Sequence, residues 1–233
     1  MLGVIRGKAE EILEKCKAMM VGLHVVYTSG KHGQIYVNKD AVYPHTHDIA
    51  KLGQYIAAIV DDKSIDVVVG PTVGGVILSQ WVAYHLSNQY GREVLAVFAE
   101  KNLQAFYKGA AGAHVIITQG SATKKVTEVL PGQTVLIDDG TMIFKRGYDK
   151  LIVGKRVLVV DDILTTGGTI AKVISAVKKI GGIVVAAACM TNCGKVTAEM
   201  IDAPNLTNLI EVDMESYEAA DCPLCKDGVP ITK

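Results

Sequence analysis

"VLVVDDILTTGGTI", residues 157–170, decides how the rest of the chain is read. Four β-favouring apolar residues run into Asp161 and Asp162. Unpaired carboxylates inside a core are costly, so a buried strand ending in two of them should open there to solvent or a ligand. Two adjacent carboxylates are good acceptors for a pair of vicinal sugar hydroxyls. Thr165, Thr166, Gly167, Gly168 and Thr169 then precede a helical apolar pattern. Glycines let successive N–H groups turn inward, threonines add hydroxyl donors, and the helix start adds partial positive charge, which together make a phosphate cradle. Acceptors for hydroxyls beside a cradle for phosphate point to a phosphorylated sugar. A P-loop and a dinucleotide fingerprint are both absent, since no G-x-x-x-x-G-K-[ST] occurs and no G-x-G-x-x-G follows a strand.

On either side of this stretch the pattern alternates. Apolar strands are expected at 65–70, 93–101, 156–162, 183–190 and 209–214, and helices at 47–62, 76–91 and 169–182. In the first of these helices Ile49, Leu52, Ile56 and Ile59 fall on one face. Upstream, Ile5, Ala9, Ile12, Cys16 and Met20 share a helical face, which predicts a helix over 4–20 stopped by Gly22, and an edge strand is expected at Ile35–Val37. Continuous apolar strands alternating with helices predict a parallel sheet covered on both faces. Ligands bind at the carboxyl ends of such strands, which singles out the loops after Val69, Phe98, Val160 and Met190. Residues 102–150 interrupt the order with short strand-like stretches and turns at Pro131-Gly132 and Asp139-Gly140, read as a β-hairpin excursion.

The bulk properties exclude several classes. Lys+Arg and Asp+Glu are both 24 of 233 residues, so no basic excess advertises nucleic acid. The first twenty residues are too charged for a signal peptide, and the longest apolar run, 183–190, is far short of the roughly 20 residues a membrane helix needs. Five cysteines without a secretory leader fit a reducing, cytoplasmic setting and no membrane.

"VLVVDDILTTGGT" resembles the phosphoribosyl pyrophosphate (PRPP) motif of type I phosphoribosyltransferases. The alternative is an ordinary strand, turn and helix with capping residues. The resemblance implies that Asp161 and Asp162 hold the ribose hydroxyls, with Thr165 to Thr169 on the 5-phosphate. "GPTVGG", 70–75, is similar to the family's pyrophosphate loop and assigns Pro71, Thr72, Val73, Gly74 and Gly75 to the leaving group. "SGKHGQIYVNKD" (29–40), "FAEK" (98–101), "FKRGY" (144–148) and "CPLCKDGVPI" (222–231) look like orotate phosphoribosyltransferases and their close relatives. Lys101 would match a lysine that touches the PRPP phosphates, and Lys31, His32 and Tyr36 would belong to a hood over the base.

The fold this implies is α/β, with a parallel-sheet, Rossmann-like type I phosphoribosyltransferase core, a small N-terminal hood and a β-hairpin excursion. A single domain spans 1–233, with the hood mainly 1–45 plus the C-terminal tail, the core about 46–215, and a β-rich flexible excursion about 102–150. The implied activity is Mg2+-dependent transfer of phosphoribosyl from PRPP to a nucleobase, orotate first, with pyrophosphate as product and a homodimer as the assembly. Magnesium would bind mainly through PRPP oxygens and water, with Asp161 and Asp162 acting indirectly. One position departs from the pattern. Asn192-Cys193-Gly194 stands where orotate-specific relatives carry an arginine that meets the orotate carboxylate, and a cysteine offers no such bidentate cation. Another purine or pyrimidine base therefore stays open. So does a PRPP-sensing regulator, although such regulators need a nucleic-acid surface that the charge balance does not provide. Cys222-Pro-Leu-Cys225 has metal-knuckle spacing, and Cys189 with Cys193 would complete a four-thiolate zinc site if the tail folds back; plain reduced thiols are the competing expectation.

Overall fold

The computed structural model describes residues 2–27, 30–60, 62–108, 113–119, 122–129 and 134–232, with the backbone only over 104–138. Two compact units emerge, Met1–Glu100 with Phe144–Lys233, and Lys101–Ile143.

The first unit opens with helix α1 (Leu2–Lys15), strands β1 (Met19–Val26) and β2 (His32–Val37), and helix α2 (Thr46–Ile59). The expected helix over 4–20 is thus too long. Lys17 takes φ 54 and Ala18 donates its N–H back to the Leu13 carbonyl at 2.7 Å, a left-handed C-terminal cap built without glycine. Met19 and Met20 then join β1, which pairs antiparallel with β2.

The core follows as β3 (Val67–Pro71), α3 (Gly74–Tyr90), β4 (Leu95–Lys108), then, beyond the second unit, a short helix α4 (Asp149–Ile152), β8 (Arg156–Leu164), α5 (Gly168–Lys179), β9 (Ile183–Asn192) and β10 (Leu206–Glu211). Between β4 and α4 lie β5 (Ala113–Gln119), β6 (Ala122–Val129) and β7 (Thr134–Ile143). The main sheet runs in the order β10-β9-β8-β3-β4-β7. Its first four pairings, β10 with β9, β9 with β8, β8 with β3 and β3 with β4, are all parallel, as the apolar runs predict. Val67, Val68, Val69, Val157, Leu158, Val159 and Val160 are each 0% exposed, because helices cover both faces of the sheet. Helices α2 and α3 approach closely at Gly53, where a Cβ would collide with the Cβ of Trp81. The chain ends with a two-residue strand β11 (Ser216–Tyr217), paired antiparallel to β2, and a short helix α6 (Pro223–Lys226).

In the second unit β5 and β6 form an antiparallel hairpin. The turn expected at Asp139-Gly140 is absorbed into the continuous strand β7, where Gly140 takes φ 80 and the Asp139 carboxylate accepts the Thr141 N–H at 2.9 Å. The turn expected at Pro131-Gly132 lies outside the described residues.

Candidate active site

Asp161 and Asp162 sit near the carboxyl end of β8, and they are 6% and 4% exposed. Asp161 Oδ1 accepts the N–H of Asp162 at 2.9 Å, and Asp162 Oδ1 accepts the N–H of Ile163 at 2.7 Å. Burial and the neighbouring Asp162 charge push the Asp161 carboxyl up to about 8. Asp162 Oδ2 accepts from two side chains of the segment before α2, the Lys39 ammonium at 2.9 Å and the Tyr43 hydroxyl. Burial pulls the Lys39 ammonium down, but the hydrogen bond and charge of Asp162, helped by Asp40, push it above its usual range. The Tyr43 hydroxyl rises well above the phenol range, because of burial first and the Asp162 charge second.

The loop between β3 and α3 descends on the same carboxylate. A Cβ at Gly74 would collide with Asp162 Oδ2 and the Tyr43 hydroxyl, so only glycine fits there. A Cβ at Gly70 would strike the backbone of Gly75, and one at Gly75 would strike the Pro71 ring, so the strand-to-helix turn is tight. Pro71, Gly74 and Gly75 are buried, whereas Thr72 and Val73 are exposed. The Thr72–Val73 peptide is cis, and the Thr72 N–H is held by the Ala99 carbonyl at 3.0 Å.

Beyond β8 the chain forms the loop that enters α5. Gly167 takes φ 73 and caps the helix, and the Gly168 N–H reaches Thr166 Oγ1 at 3.3 Å. Thr165, Thr166, Gly168 and Thr169 are exposed around the helix start, so the loop is open to solvent. Gly167 is buried, and a Cβ there would meet Ile201 and Val196. The loop after β9 braces this cradle from beneath. Cys193 and Gly194 donate their N–H groups to the Leu164 carbonyl at 2.8 and 3.1 Å, and a Cβ at Gly194 would strike the Thr165 carbonyl.

The remaining expected residues are distributed elsewhere. Lys31 pairs with Glu218 at 3.2 Å, Tyr36 is 43% exposed on β2, and His32 is buried beside His24 and Cys225. The side chains that reach Asp162 from the N-terminal segment are Lys39 and Tyr43. Cys193 is 8% exposed, and burial pushes its thiol up to about 11, so it braces the loop as a neutral group. Lys101 is exposed and opens the second unit. Lys145 and Arg146 both pair with Glu100, and the Arg146 guanidinium lies 5.3 Å from the Phe98 ring centre. The four-thiolate set does not assemble. Cys189 is buried on β9 opposite Asp161, while Cys222 and Cys225 lie with His24 and His32. The reason is topological: β9 belongs to the main sheet and the tail joins β2.

The family model for the phosphoribosyl transferase domain matches residues 38–207. The orotate phosphoribosyltransferase of Thermotoga maritima is 31% identical over 227 residues, covering 96% of this chain and 95% of its own. That of Caldanaerobacter subterraneus subsp. tengcongensis is 28% identical over 226 residues, covering 97% and 95%. Among solved structures, the orotate phosphoribosyltransferase of Mycobacterium tuberculosis in complex with PRPP superposes with a TM-score of 0.54 at 19% identity, covering 88% of this chain and 96% of that one.

Proposed function

The chain belongs to the phosphoribosyl transferase domain family, and from that membership we propose that it transfers the phosphoribosyl group of PRPP to orotate, releasing pyrophosphate. One observation carries the reading. A buried carboxylate pair at the end of β8 lies directly under the Gly74 turn and immediately ahead of the exposed start of α5. The pair accepts hydrogen bonds from the ribose hydroxyls, the loop at 165–169 takes the 5-phosphate, and the loop at 71–75 takes the pyrophosphate. The bond between the anomeric carbon and pyrophosphate oxygen breaks as the bond to the base nitrogen forms. Fixed N–H donors at the two loops stabilise the charge that the leaving group gains. Lys39 and Tyr43 position Asp162 by holding one of its oxygens.

Orotate is the acceptor that the names of the Thermotoga and Caldanaerobacter relatives support. Cys193 favours a second acceptor class. Its buried neutral thiol cannot make a cationic contact to a carboxylate, and a base lacking one needs none. Magnesium is the expected ion. The carboxylate pair suits it only in part, because Asp162 already holds an ammonium and a phenol. An ion bound chiefly through substrate oxygens and water fits that arrangement. The family resemblance implies a homodimer, and the reduced cysteines fit a cytoplasmic setting.

The test is pyrophosphate release from PRPP and Mg2+ with orotate, uracil, adenine, guanine and hypoxanthine in turn. Release with orotate supports the first reading, and release with another base alone supports the second. PRPP binding without release under any base would sink both and leave a PRPP sensor.

A further inference from the structure

The N-terminal hairpin and the C-terminal tail bring four metal-ligand atoms together, well away in sequence from the PRPP motif. His24 on β1, His32 on β2, and Cys222 and Cys225 of the tail each offer one atom, all within 4.8 Å of one another. His24 Nε2 lies 3.0 Å from His32 Nδ1, 3.8 Å from Cys222 Sγ and 3.5 Å from Cys225 Sγ, and His32 Nδ1 lies 3.2 Å from Cys225 Sγ. Bond lengths of about 2.0–2.1 Å to nitrogen and about 2.3 Å to sulfur place the vertices of a tetrahedral zinc site roughly 3.3–3.8 Å apart. The separations fall at that scale. We propose that His24, His32, Cys222 and Cys225 bind a structural zinc ion that ties the tail to the hairpin.

The local chemistry supports ligation over a mere thiol–imidazole cluster. His24, His32 and Cys222 are 2%, 6% and 0% exposed. His24 Nδ1 lies 2.6 Å from the Val229 carbonyl, which can only accept, so Nδ1 carries the proton and Nε2 presents its lone pair to the other three groups. Such an outer hydrogen bond is what orients a metal-bound imidazole. Strand register does the rest. Val26 pairs with His32 two residues beyond His24, and the two imidazole rings meet with their centres 5.2 Å apart. Cys222 caps α6 just before Pro223, and the turn of α6 returns Cys225 to the same point. A closed set of two nitrogens and two sulfurs suits zinc held for structure, with no open position for chemistry.

The need for a staple is also visible. The hairpin sheet has three strands, and the third, β11, is two residues long. So small a layer gains little from its own apolar contacts, which is where small folds recruit metals.

The full chain, freed of any affinity tag, should retain about one zinc per chain after gel filtration without chelator, measured by plasma mass spectrometry. Cobalt exchange should give an intense thiolate-to-metal charge-transfer band. Cys225→Ser and Cys222→Ser should lose the metal, while Cys225→His and Cys193→Ser should keep it. Cys225 is exposed, so its substitution tests ligation even if Cys222→Ser misfolds. Fully reduced protein that holds no zinc from an equimolar excess would overturn the proposal. So would undiminished zinc in the Cys222→Ser/Cys225→Ser double variant.

Discussion

Lys39 donates to Asp162 across 2.9 Å, joining two residues 123 positions apart in the chain. The bond ties the segment before α2 to the PRPP motif. Lys39→Met removes the cation from a carboxylate that is 6% exposed on its side chain, while Lys39 itself is 33% exposed. A hydrogen bond to a charged group contributes roughly 1.5–3 kcal/mol, and the part-exposed lysine places the loss toward the lower figure. Urea denaturation measures it, and Lys39→Arg should recover part of it.

Asp162→Asn removes a charged acceptor for a sugar hydroxyl, and Asp161→Asn removes one that becomes charged when it gives up its proton to bind the sugar. At roughly 1.5–3 kcal/mol per such bond, kcat/KM for PRPP should fall about 10- to 100-fold in each variant. Pyrophosphate release reads this directly, and near-normal turnover in both variants would remove the carboxylates from the site.

Gly74→Ala and Gly7→Ala form a contrasting pair. The first drives a Cβ into Asp162 and Tyr43, and overpacking of that kind costs about 1–3 kcal/mol, with activity lost alongside. The second meets nothing within 4 Å inside α1, so it should stabilise by about 0.5–1 kcal/mol. Equal effects on thermal midpoint would show that the tight turn over Asp162 is not as described.

The pH dependence of stability follows from Asp161. Its carboxyl is raised from 3.8 to about 8 by burial and by Asp162, so the folded state keeps a proton that the unfolded chain has released. The contribution is fully present below 3.8 and is lost as pH rises through about 8. The unliganded protein should therefore lose stability across that window, and Asp161→Asn should flatten the loss. Thermal midpoints from pH 5 to pH 8.5 test it, and identical slopes in the two proteins would contradict it.

What the chain reveals on inspection depends on how local the cause is. Strands β3 and β8 are legible because their valine runs need no partner to announce them, and the cradle is legible because its threonines and glycines are contiguous. The end of α1 is not, since Lys17 adopts a left-handed turn that glycine usually marks, and the apolar spacing continues through it to Met20. Lys39 and Tyr43 escaped notice for a different reason: only tertiary folding brings them to Asp162, although Lys39 lies within a stretch that already resembled the family. The cysteine pairing failed likewise. C-x-x-C spacing identified one half of the ligand set, but its complement is a pair of histidines about 200 residues upstream, as the separations of 201 and 193 for Cys225 attest.

The His24 backbone makes two hydrogen bonds with Thr232 across 208 positions, its N–H donating to the Thr232 hydroxyl at 3.2 Å and its carbonyl accepting the Thr232 N–H at 2.7 Å. During synthesis the hairpin emerges from the ribosome long before that partner exists. The hairpin must wait, edge bare, for a residue 208 positions further along the chain. Closure of this layer thus waits on the tail, and a truncation ahead of Thr232 would leave it open.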